Sequence, residues 1–165
     1  MKNKEVVVAD SGPLIGLAKI GRFALLKTLF RSISIPETVY HEVVQEGAGK
    51  PGAVEVARAV EEGWIVKHKL QSSRLLVLLK VELDEGEAEA VMLANELKAR
   101  LLLIDERKGR VRAERMQLKI MGTVGILLLA KAKGVDIDLR EALDRLRNEG
   151  FRLSDRLYER VLANQ

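Results

Sequence analysis

EVVVAD, residues 5–10, is a β-branched apolar run that ends in an acid. Continuous rather than alternating apolar character marks a strand buried on both faces, the habit of a central parallel strand. SGPLIGLAKIG follows with a turn signal and then helical spacing, with Ser11 placed to cap the helix and Pro13 in its first turn. RLLLID, residues 100–105, repeats the theme of a buried run closed by an acid.

Between and beyond these runs, helical and strand patterns alternate. FALLKTLF (23–30) reads as a helix, SISIP (32–36) as a strand, ETVYHEVVQE (37–46) as a helix and GAGKPG (47–52) as a loop. AVEVARAVEEG (53–63) is helical, WIVKH (64–68) a strand, and 72–81 a short helix. DEGEAEAVMLANELKA (84–99) is a strong helix with acids in its first turn, where the helix dipole favours them. ERKGRVRAERMQ is a basic helix or a loop leading into one, LKIMG (118–122) a strand, and TVGILLLAKAKG (123–134) a helix with Thr123 as N-cap and Gly134 as stop. Amphipathic helices near 138–148 and 154–163 close the chain, the last capped by Ser154. The pattern predicts an α/β protein, a three-layer α/β/α sandwich around a mostly parallel sheet. Residues 1–134 form the expected main domain, with 135–165 a helical extension packed on it.

Composition narrows the chemistry. With 165 residues, 47% hydrophobic and 32% charged, the chain can bury a core and reads as globular. Its apolar runs are far shorter than the roughly 20 residues a membrane span needs. The N-terminus lacks a signal peptide's apolar region, so a cytoplasmic protein without membrane contact is expected. The absence of cysteine removes disulfides, thiolate metal sites and cysteine nucleophiles. Neither HExxH nor a glycine-rich phosphate loop occurs. Any metal would be held by oxygen, which favours Mg2+ or Mn2+. Charge is segregated: residues 100–119 carry seven Lys/Arg against three acids, whereas ELDEGEAE (82–89) carries five acids and no base. That juxtaposition suits a metal-dependent enzyme acting on a polyanion.

Sites in parallel sheets form beyond the C-terminal ends of strands, where Asp10 and Asp105 stand. Glu87 continues the inward stripe Ala90, Val91, Ala94, Leu97, whereas Glu89 faces elsewhere and reads as solvated. Glu42 sits beside the stripe of its helix, and His41 reads as a surface histidine. Four carboxylates can thus converge. Crowded carboxylates resist ionisation together unless divalent cations neutralise them, and such cations also activate water for phosphodiester hydrolysis.

VVVADSGPLIGL, IPETVYHEV, LDEGEAEAVMLA and LLLIDERKGR, in that order, resemble the motifs of the PIN domain, the nuclease fold of VapC-type toxins and several RNA-processing enzymes. MGTVGILLLAKAKG extends the likeness to about residue 134, and the whole is similar to a prokaryotic branch of the family. The resemblance implies a metal-dependent endoribonuclease with Asp10, Glu42, Glu87 and Asp105 as catalytic metal ligands on Mg2+ or Mn2+. Ser11, Glu106 and Thr123 would support them. Many members carry Thr-x-Asp after the later strand where this chain has Ile104-Asp105-Glu106, which leaves Asp105 and Glu106 as alternatives; GEAEA likewise offers Glu87 and Glu89. Arg107, Lys108, Arg110 and Arg112 would hold single-stranded or structured RNA. A small antitoxin and a homodimer through the C-terminal helices or GTVGILLLA are further expected partners. The competing readings are a PIN-fold binding module with weak or no catalysis, against which four acids argue, and an unrelated binder of a small phosphorylated molecule.

Overall fold

The computed structural model describes residues 5–164. Five strands form one sheet in the order β3-β2-β1-β4-β5, every pair parallel: β1 (Val7–Ala9), β2 (Ile33–Pro36), β3 (Ile65–His68), β4 (Leu101–Leu103) and β5 (Ile120–Met121). Helices connect them: α1 (Ser11–Lys19) and α2 (Leu25–Phe30), α3 (Glu37–Tyr40) and α4 (Ala53–Glu62), α5 (Arg74–Glu82) and α6 (Glu85–Glu96), then α7 (Arg107–Arg115). After β5 come α8 (Thr123–Ala132), α9 (Leu139–Asn148) and α10 (Asp155–Ala163).

Strand alternation makes the layers. Val7, Ala9, Leu101 and Leu103 join a core with Leu14, Leu17, Leu26 and Ile126. Val8, Leu102 and Ile104 point the other way, into a core with Leu79, Val91 and Ala113. The three-layer α/β/α sandwich is therefore realised, with a sheet that is parallel throughout. Leu139, Leu143, Leu146 and Val161 belong to the first core, so the C-terminal helices are anchored in it. Ile126, Leu127 and Leu143 are spent there, whereas Leu128 of α8 and Leu157 of α10 stand exposed, as do Val81, Leu78 and Val54 elsewhere. Among the described residues no helix is long and apolar enough to cross a membrane.

Several local expectations are corrected. The N-cap of α1 is Asp10, and Ser11 is the first helical residue. The N-cap of α8 is Gly122, because Thr123 turns its own N–H and hydroxyl to Asp105 instead. The helix expected over 37–46 changes at Tyr40 into a wider π-helical stretch, His41–Glu46. The helix over 84–99 ends at Glu96, with Lys98 at φ 50. Ser154 does cap α10, accepting from the Leu157 N–H.

Candidate metal centre

The chain runs from β1 outward through β2 to β3, then returns to place β4 on the other flank of β1. The reversal falls between β1 and β4, and crevices at such a switch point are where open parallel sheets bind ligands. Asp10 and Asp105 follow these two strands. The Asp10 N–H still donates to Leu103 O at 2.9 Å, which holds the residue at the sheet rim.

Asp10 is the hub. The residue is only 3% exposed, and its Oδ1 is buried without a hydrogen-bond partner. Burial pushes its pKa up to about 7; the Ser11 N–H opposes the rise, and the charges of Glu42, Asp84 and Asp105 add to it. Glu42 comes from the π-helical stretch, a distortion often found at functional sites. Its Oε2 is likewise buried and unpartnered. Gly86 on α6 lies against both groups: a Cβ there would stand 3.5 and 3.6 Å from the Glu42 oxygens and 3.7 Å from Asp10 Oδ1.

Glu87 is buried, as the helical phase predicts. Burial, a hydrogen bond with Asp84 and the charges of Asp84, Asp10 and Glu106 push its pKa up to about 8. Asp105 stands beyond β4 on the same rim. Thr123 donates to both of its oxygens, N–H to Oδ1 and hydroxyl to Oδ2, each at 2.7 Å. Burial raises its pKa, while the Thr123 bonds and the Arg110 charge oppose that. Gly12 and Gly122 leave room for it; a Cβ at Gly122 would be 2.8 Å from Oδ1.

Glu106 is the N-cap of α7, and its charge acts on both Glu87 and Asp105. Ser11 supports Asp10 through its backbone, and among the described residues its hydroxyl makes no hydrogen bond. Glu89 corrects an expectation: it is buried, not solvated, and accepts a hydrogen bond from the Thr38 hydroxyl. Arg107, Lys108 and Arg110 stand exposed on α7. Arg112 does not stand free, because its guanidinium is paired with Glu82 of α5.

Asp84 was not foreseen. It caps α6 by accepting the Glu87 N–H at 2.9 Å, and it bears on both Asp10 and Glu87. An acid ahead of a helix and three residues before a glutamate is an N-cap signal, and that was its trace in the sequence.

All these donors are oxygens, and two of them are orphaned and buried. That chemistry fits a hard divalent cation. Among the described residues no three acidic or histidine side chains are drawn into a cage as they stand.

A family profile described as a PIN domain matches residues 6–165. No curated protein matches. Among solved structures, the chain is similar to a PilT N-terminus domain protein from the hyperthermophilic archaeon Sulfolobus solfataricus P2, at 16% identity and a TM-score of 0.53, covering 81% of this chain and 97% of that one. At that identity the likeness shows the fold. The PIN domain is generally a nuclease fold, usually uses divalent metal ions, and commonly binds nucleic acids. With strand order, carboxylate rim and profile in agreement, the chain belongs to the PIN domain family.

Proposed function

We propose that the protein is a Mg2+- or Mn2+-dependent endoribonuclease. The observation that carries this is the pair of buried, unpartnered oxygens, Asp10 Oδ1 and Glu42 Oε2, facing the same glycine. Leaving two such groups uncompensated is costly, and a cation relieves both at once. Asp10, Glu42, Glu87 and Asp105 are the holding residues in this reading, with Asp84 and Glu106 adding negative charge around them.

The chemistry supplied by the cation is activation of water and neutralisation of the phosphate. The chain's own residues do the rest. Thr123 fixes both oxygens of Asp105, and the Ser11 N–H fixes Asp10. Glu87 keeps its proton near neutrality while the cluster is uncompensated, so cation binding releases protons. Arg107, Lys108 and Arg110 hold the RNA backbone beside the carboxylates. No covalent enzyme intermediate is needed. In the same reading the activity is restrained in its host by a small antitoxin, as some PIN domains are.

Cleavage of labelled single-stranded RNA tests this, with Mn2+, with Mg2+ and with EDTA, comparing wild type with Asp10→Asn. Metal-dependent cutting lost in the variant is expected. Absence of cutting, together with no thermal stabilisation by Mn2+, overturns the reading.

A further inference from the structure

Among the clefts that flank the carboxylates, two differ in charge. One, about 720 Å³, is lined by Glu37, Glu42, Glu46, Asp84 and Glu85, with Lys67 held over the Tyr40 ring. Away from the cation that Glu42 would hold, the acids of this cleft disfavour a polyanion. The other, about 500 Å³, starts at Asp105 and Glu106 and runs along the α1 face made by Gly12, Ile15, Gly16 and Lys19. It ends at the α9–α10 connection, which contributes Phe151 and Arg152, and Arg107 lines it from α7. With Glu149 also in its lining, the second cleft balances three cations against three acids. A strand passing the carboxylates is thus opposed less there than in the first, where five acids face Lys67.

The connection is held in place. The Phe151 N–H donates to Leu146 O at 2.9 Å, and Gly150 makes the turn at φ 89. Arg147 grips Leu153 O at 3.0 Å and Asp155 at 2.9 Å, and Lys19 reaches Glu149 O at 3.4 Å. Phe151 is half-buried against the core, so its ring is fixed while part of it faces out. Among the described residues Arg107 and Arg152 make no hydrogen bond or ion pair. A rigid aromatic face with uncommitted guanidinium groups is the chemistry that receives an unstacked base and its phosphate.

We infer that this cleft binds a nucleotide of single-stranded RNA flanking the cut, its base stacked on Phe151 and its phosphate held by Arg152 and Arg107. The inference rests on the ribonuclease reading and gives the C-terminal helices a part in substrate binding. The probe is a fluorescein-labelled oligouridine. Its binding is read by anisotropy in EDTA across a salt series, and its cleavage kinetics in Mn2+. Phe151→Leu and Arg152→Glu are each expected to weaken binding about tenfold. Both raise KM with kcat unchanged, as loss of uniform binding requires. Phe151→Tyr restores the platform and behaves as wild type. Arg152→Glu, at an exposed position, carries the test if Phe151→Leu lowers the melting temperature. A wild type that binds and cuts, with both variants unchanged, overturns the cleft assignment and leaves the ribonuclease reading standing. A wild type that neither binds nor cuts overturns both.

Discussion

Thr123 holds Asp105 by two hydrogen bonds of 2.7 Å, one to each carboxylate oxygen, and so fixes its plane. Thr123→Val keeps the shape and the backbone bond but removes the hydroxyl. Loss of one such bond costs about 1 kcal/mol of stability. Loss of an orienting partner weakens metal affinity on the order of 10-fold or more. Calorimetric Mn2+ titration should show that weakening, with Thr123→Ser close to wild type; equal affinity in all three proteins would remove the positioning role.

Gly86 separates stability from cation binding. A methyl group there makes only ordinary contacts, 3.5–3.7 Å from the oxygens of Glu42 and Asp10. Gly86→Ala therefore folds, and the helix gains roughly 0.5–1 kcal/mol. In the proposed reading, the same methyl would fill the space from which a cation would reach both carboxylates. The expected pair of results is a raised melting temperature in EDTA and a lost Mn2+-induced gain. A retained gain contradicts the placement of the ion between those groups.

Asp10 sets a pH dependence. Its pKa in the fold is about 7, raised from 3.8, so between these values the folded protein holds a proton that the unfolded chain has released. The stability this gives is full below about pH 4 and lost as pH rises through about 7. In EDTA the wild type should lose stability over that window, by on the order of 2 kcal/mol more than Asp10→Asn. Saturating Mn2+ should reverse the trend, because protons compete with the cation. Parallel melting profiles for the two proteins would show that Asp10 is ionised without strain.

The exposed cations of α7 should divide into two kinds. Lys108→Ala is expected to lower the steepness of RNA binding against salt by about 0.7. Arg112→Ala should leave it unchanged, since Glu82 already occupies that guanidinium, and should cost less than about 1 kcal/mol as a part-exposed pair. A salt titration of oligouridine binding reads both. Equal slopes for the two variants would mean that the Glu82 pair opens on RNA.

The buried runs at 5–10 and 100–105 disclosed the parallel sheet because central strands have no polar face to hide. Helical phase alone singled out Glu87. Phase failed for Glu89, which is buried through its bond to Thr38, a partner distant in sequence. The π-helical stretch around Glu42 also escaped a reading based on 3.6-residue spacing. Thr123 read as a cap because residue type cannot tell whether a hydroxyl will bond its own helix or a carboxylate on another strand. The pairing of Arg112 with Glu82 left no trace in the sequence, because it forms only once α5 and α7 are packed.

The pairing of Val7 with Leu101 and of Ala9 with Leu103 joins strands separated by most of the chain. Closing so long a loop is among the slower events of folding, and its entropy is recovered only when the two strands meet. Asp10 and Asp105 become neighbours through that step, and Thr123 locks the second of them from further along still. A ribosome-bound fragment ending before β4 emerges would carry three of the four acids and no completed rim. The carboxylate rim is thus a late product of synthesis, complete only once β4 and α8 have left the ribosome.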